Sequence, residues 1–121
     1  MTSPAKKQGD LGEALARRHL ENKGMRFVQA NWGCKTGEID LIMKDGSTLV
    51  FVEVRLRAET KYGEGDETVA WQKIRKLIRT AQFWQQVNDY WGDIRFDVVS
   101  IGVKTDGGYG LKHIEAAFME E

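Results

Sequence analysis

Gly37-Glu38-Ile39-Asp40-Leu41-Ile42-Met43-Lys44-Asp45-Gly46-Ser47-Thr48-Leu49-Val50-Phe51-Val52-Glu53-Val54-Arg55 is the stretch that sets the fold of this chain. Two apolar runs flank Asp45-Gly46, a dipeptide that favours a tight β-turn, so the segment reads as a hairpin of two strands, Glu38 to Lys44 and Thr48 to Arg57. The second strand is apolar almost without interruption from Leu49 to Val54, as expected of a strand buried on both faces and central in its sheet. A turn of two residues at Asp45-Gly46, or of four from Lys44 to Ser47, pairs Asp40 with Phe51 and Glu38 with Glu53. In that register Glu38, Asp40, Glu53 and Arg55 project from one side of the hairpin. Asp40 and Glu53 become diagonal neighbours roughly 7 to 8 Å apart at the backbone, from where two carboxylates can converge on one cation.

Three acids on one patch of a buried strand pair need positive charge, because opposed like charges destabilise a sheet and a buried carboxylate costs several kcal/mol unless paired. Arg55 or Arg57 supplies it in a structural reading, as a salt-bridge network. Mg²⁺ or Mn²⁺ supplies it in a chemical one, since these ions take oxygen ligands and commonly use one or two carboxylates with waters and a substrate phosphate. The two readings are compatible.

Outward from the hairpin, Asp10 is suited to cap a helix that runs to Lys23 and is closed by Gly24, with Leu11, Ala14, Leu15, Ala16 and Leu20 on its apolar arc and Glu13 on the rim. Glu13, Arg17 and Glu21 also have the spacing of a solvent-facing ion-pair ladder. Met25 to Asn31 reads as a strand and Trp32 to Gly37 as a turn. The loop Ala58 to Asp66 precedes a helix from Glu67 to Val87 with the apolar stripe Ala70, Ile74, Leu77, Ile78 and Ala81. A strand from Ile94 to Val103 turns through Asp106 to Gly110 into a last extended piece, Leu111 to Glu115. The order αβββαββ predicts an α/β fold, a mixed sheet flanked by helices.

At 121 residues the chain has the length of one domain, residues 1–121. Hydrophobic residues at 41% with 30% charged fit a globular protein, and no run approaches the roughly 20 apolar residues of a membrane span, so no membrane partner is expected. The polar start with Lys6 and Lys7 is not signal-like, and the single Cys34 offers neither an internal disulfide nor a zinc signature. A cytoplasmic protein is expected. Eighteen basic and eighteen acidic residues cancel, so any nucleic-acid footprint must be local.

Gly37-Glu38-Ile39-Asp40-Leu41-Ile42, Phe51-Val52-Glu53-Val54-Arg55 and Arg95-Phe96-Asp97-Val98-Val99 together resemble the YraN family of uncharacterised bacterial proteins. The resemblance extends from Gly12-Glu13 to His113-Ile114-Glu115 and Ala117-Phe118. That family is similar in turn to Holliday-junction resolvases and to the restriction-endonuclease-like PD-(D/E)xK fold, whose pattern is an acid, a hairpin and E-x-K. The resemblance implies a metal-dependent endonuclease of DNA, with branched or damaged structures as substrates and a homodimer as the assembly. It implies Asp40 and Glu53 as ligands of Mg or Mn and Glu13 as the additional acid of the resolvases. Arg55 stands where the pattern has lysine. A guanidinium stays protonated and can orient or stabilise charge, whereas a buried lysine can approach neutrality and help activate water. Ile39 likewise replaces the nominal proline.

The second helix carries Gln72, Lys73, Arg75, Lys76 and Arg79 with no acid from Gln72 to Arg79, while Glu64, Asp66 and Glu67 gather before it. A one-signed stripe suits sequence-independent phosphate contact, and Gln72, Lys73, Lys76 and Arg79, with Arg57, are the candidate nucleic-acid contacts. Such a face is more usually plain solvation. Trp32, Trp71, Trp84 and Trp91 are expected in the core rather than stacked on bases, and His113 has no partner pattern. A metal-dependent phosphodiesterase, a non-catalytic nucleic-acid-binding module and a protein-interaction domain are the three function classes left.

Overall fold

The structure, a computed structural model, describes residues 4–58 and 71–119. In chain order the elements are α1 (Pro4–Asn22), β1 (Arg26–Cys34), β2 (Gly37–Asp45), β3 (Thr48–Ala58), α2 (Trp71–Val87), β4 (Ile94–Val103) and β5 (Tyr109–Phe118). The strands form one mixed sheet in the order β1-β2-β3-β4-β5. Among the described strands only β3 and β4 run parallel, and α2 lies in the connection between them. The expected mixed sheet with flanking helices is thus what the chain forms, and β3 is its central strand.

Alternation along β3 separates two cores. Val50 and Val52 pack with Leu41, Met43, Val99, Ile101 and, from α1, Ala16 and Leu20. Leu49 and Phe51 pack with Ile42, Phe96 and, from α2, Ala81 and Trp84. The helices therefore cover opposite faces of the sheet, which is why the middle strand reads as continuously apolar. Phe51 meets Trp84 edge-on at 5.7 Å between ring centroids and stacks on Phe96 at 5.6 Å.

Helix α1 differs from the sequence expectation at its start. It runs through Gly9-Asp10 from Pro4, because Pro4 suits a first helical position and Ala5, Lys6, Lys7 and Gln8 are good helix formers; Asp10 is an interior residue, not a cap. Its end is as expected. Gly24 takes φ 99°, Gly24 N–H donates to Glu21 O at 2.9 Å and Met25 N–H to Leu20 O at 3.1 Å, a Schellman closure that drives Met25 onto Leu20 in the core. The buried line of the helix is Gly12, Ala16 and Leu20, spaced by four, and Leu11 and Ala14 are exposed.

β1 continues to Cys34, so most of the expected Trp32–Gly37 turn is strand and only Lys35 and Thr36 turn the chain. β5 is likewise longer than Leu111–Glu115. The expected start of the second helix, Glu67 to Ala70, and the acids Glu64 and Asp66 lie outside the described residues. Trp84 is core and Trp32 half-buried, but Trp71 and Trp91 are 55% and 69% exposed, against the expectation for them. Trp91 falls beyond α2 in a loop, where Asp89 accepts its indole N–H at 2.7 Å, so no packed face reaches it.

Candidate active-site cleft

The hairpin that carries the acids is closed by Gly46-Ser47, with Gly46 at φ 61° and Asp45 opposite Thr48. Its register is therefore two residues from the expected one: Ile42 faces Phe51 and Leu41 faces Val52. The positive φ that a tight turn demands falls on glycine in the turn itself, which moves the turn one residue along. An even shift by itself moves no side chain to the other face. Asp40 and Glu53 are the next positions beyond Leu41 and Val52, not the diagonal pair of the expected register.

Regular pairing of β2 with β3 stops at Leu41 and Val52. Past that point the Val54 N–H, instead of joining the ladder, donates to Asp40 Oδ2 at 2.9 Å. Alternation breaks at the same residue: Leu41 and Met43 belong to the α1-side core but Ile39 to the α2-side core. On the neighbouring strand Asn31, between the pairs Ala30–Leu41 and Trp32–Ile39, takes φ 55°. A non-glycine residue in that region, at the point where Asp40 leaves the ladder, marks a locally distorted sheet around the carboxylate.

Asp40 and Glu53 open into a cleft of about 410 Å³ lined also by Gly37, Glu38, Lys73, Lys76, Leu77 and Thr80. Glu53 is buried, and Lys73 Nζ sits 2.6 Å from its Oε1. Burial, the charge of Glu53 and a hydrogen bond shared with Glu53 push the Asp40 carboxyl up to about 7, against a lowering by the Val54 N–H. Two carboxylates lie beside one another, and Asp40 therefore holds a proton to higher pH than an ordinary carboxyl does. Glu13 lies on the α1 side of the sheet, where Asn31 Nδ2 donates to its Oε2 at 2.9 Å. Its carboxyl is raised, first by burial and then by Asp10 and Glu38, and its charge raises Asp40 in turn.

The opposite wall is α2. Lys73, Lys76 and Thr80, at i, i+3 and i+7, line the cleft with Leu77, while Gln72, Arg75 and Arg79 are exposed and outside the lining. The basic stripe is thus split, with Lys73 paired to Glu53 and Lys76 further along the same wall of the cleft. Thr80 Oγ1 donates to Lys76 O at 2.7 Å and meets Thr36 Oγ1 at 3.0 Å, joining the helix to the β1–β2 turn. Gly37 allows that approach: a Cβ there would stand 3.1 Å from Thr80 Oγ1 at a backbone φ of 155°. Arg55 is buried and does not line the cleft; Arg57, near the end of β3, is exposed.

Two hard oxygen donors side by side, the Asp40 carboxyl raised by burial and by the charge of Glu53, are a donor set that suits Mg²⁺ or Mn²⁺. Among the described residues, no three His, Cys, Asp or Glu side chains group closely enough to hold a metal by themselves. A cation there would complete its shell with water or phosphate oxygens.

A second polar cluster escaped the sequence reading. Asp97, fully buried on β4, accepts Arg95 Nε at 2.8 Å and Arg95 Nη2 at 3.0 Å, meets His113 Nε2 at 2.7 Å and accepts the Ala116 N–H at 3.0 Å. His113 Nδ1 is 2.9 Å from Lys23 Nζ, so His113, which offered no partner in sequence, has two. The available signal was Arg95 and Asp97 at strand spacing in an otherwise apolar run.

A family model described as an uncharacterised protein family, UPF0102, matches residues 12–101. The chain belongs to that family. It is the YraN family that the motifs resemble. A UPF0102 protein of Ectopseudomonas mendocina is 45% identical over 112 residues, covering 91% of this chain and 92% of the relative. One of Aliivibrio salmonicida is 47% identical over 116 residues, covering 93% and 92%. One of Mannheimia succiniciproducens is 40% identical, covering 93% and 98%. No described helix is long and apolar enough to cross a membrane.

Proposed function

We propose that this protein is a divalent-metal-dependent endonuclease of the PD-(D/E)xK kind acting on DNA, with branched or damaged structures as its substrates. The observation that carries the reading is the cleft itself, which Asp40 and Glu53 line together with Lys73 and Lys76, Lys73 Nζ standing against Glu53. Acids alone repel a phosphodiester and lysines alone bind it without chemistry; the two walls together suit a phosphate held beside a cation. The element sequence from α1 to β4, with both acids on the β2–β3 hairpin, supports the same fold family.

Mg²⁺ or Mn²⁺ held by Asp40 and Glu53 would supply Lewis-acid charge at the scissile phosphate. The chain's own groups do the rest. Val54 N–H fixes the Asp40 carboxylate, Lys76 places a phosphate across from the acids, and the exposed Gln72, Arg79 and Arg57 meet the flanking backbone. Glu13 adds negative charge behind Asp40 and so favours a bound cation.

Arg55 favours a second reading, a nucleic-acid-binding module without turnover. It occupies the lysine position of the pattern, cannot take a proton, and lies outside the cleft lining. The test is a titration of Mn²⁺ and Mg²⁺ against linear, single-stranded, flapped and four-way-junction DNA, with Asp40→Ala as control. Metal-dependent cleavage lost in the variant is the expected result. Salt-sensitive binding without cleavage selects the second reading, and absence of both refutes the two together.

A further inference from the structure

We infer that Lys73 is an exchangeable cation of the cleft, holding Glu53 in the metal-free protein and turning to the substrate phosphate once a divalent cation takes the carboxylates. The inference rests on the proposed metal site and names a role within it that neither the hairpin motif nor the helix stripe contains.

The two partners of the Lys73–Glu53 pair are unequal. The Glu53 side chain is 6% exposed and fixed in the central strand, whereas that of Lys73 is 54% exposed on a four-carbon stem reaching over from α2. Asp40 is held separately by the Val54 N–H, so removing Lys73 leaves that hold on Asp40 in place. A divalent cation neutralises both acids, and an ammonium 2.6 Å from one of them would then face net repulsion from the metal. The stem can swing along the cleft, whose remaining polar lining on the same wall is Lys76 and Thr80, one and two turns on. That is the wall against which a phosphate would lie. A buried arginine such as Arg55 has no comparable freedom, which gives a physical reason for a mobile lysine to arrive from the helix.

The exchange makes opposite demands on metal and DNA binding. Lysine competes with metal for Glu53 and cooperates with metal in holding phosphate. Mn²⁺ titrated calorimetrically into the full-length protein without DNA should bind Lys73→Gln roughly three- to tenfold more tightly than wild type. Lys76→Gln, which removes the same charge from the same wall one turn away, should change Mn²⁺ affinity by much less. With Ca²⁺ bound, Lys73→Gln should weaken duplex DNA binding and lower the slope of log K against log salt by about 0.9, the loss of one phosphate contact. Melting curves establish that each variant is folded. Unchanged or weaker Mn²⁺ binding by Lys73→Gln, with wild type binding normally, overturns the exchange and leaves the metal reading standing. Equal tightening in both variants also overturns it, as a general charge effect. Absence of Mn²⁺ binding in all three proteins refutes the metal reading itself, and the exchange with it.

Discussion

Asp40→Asn should stabilise the metal-free protein, and by an amount that grows with pH. Asp40 ionises near 3.8 in an unfolded chain and near 7 in the folded one, so the folded state holds the proton more tightly. Its contribution to stability is therefore fully present below about pH 4 and is lost as the pH rises to about 7, where the ionised carboxylate sits beside Glu53. At ~1.4 kcal/mol per unit the shift corresponds to at most about 4 kcal/mol. The carboxyl is partly reached by solvent, which reduces this to about 2 to 4 kcal/mol. Asparagine does not titrate, and its carbonyl can still accept the Val54 N–H. Melting temperatures of the two proteins in EDTA should nearly coincide at pH 4 and diverge to a difference on the order of 10 °C at pH 8, with the variant the more stable. A difference that is flat with pH, or a variant less stable at pH 8, would refute the mutual repulsion on which the site is built.

The remaining predictions concern the cleft wall and the buried network. With Ca²⁺ bound, changing Lys73 and Lys76 together to Gln should weaken binding to all duplex sequences alike and flatten the salt slope by about 1.8, measured by fluorescence anisotropy over a salt series; loss confined to one sequence would mean that base edges are read there. Asp97→Ala should cost about 3 to 5 kcal/mol in urea unfolding at pH 7, because Arg95 and His113 lose their shared buried partner. A shift below about 1 kcal/mol would mean that the network adds little to stability.

What the sequence disclosed follows from period and charge. The run from Leu49 to Val54, apolar but for Glu53, identified the central strand because it is paired on both edges and covered on both faces. That Asp40 and Glu53 meet was legible because a two-residue error in register does not by itself move a side chain to the other face. The register itself was not, since Asp45-Gly46 admits more than one turn and only the backbone places the positive φ at Gly46. Nor was the break in alternation at Asp40, which lies across the strand pair from the positive φ of Asn31. The Lys73–Glu53 contact joins residues twenty positions apart, on elements whose relative placement is tertiary, so the stripe showed its charge but not which lysines turn inward. His113 was unreadable for the same reason: its partners lie on β4 and at the end of α1.

The cleft is claimed as one site for a cation and a phosphate, and linkage tests that claim most directly. Ca²⁺ affinity is measured by calorimetry with and without a short DNA duplex, and the affinity for that duplex with and without Ca²⁺. Each ligand is expected to strengthen the other by the same factor, as a shared site requires, and the coupling should vanish in Asp40→Asn. Ca²⁺ and DNA binding independently of one another, or coupling that persists without the Asp40 carboxylate, would contradict the account.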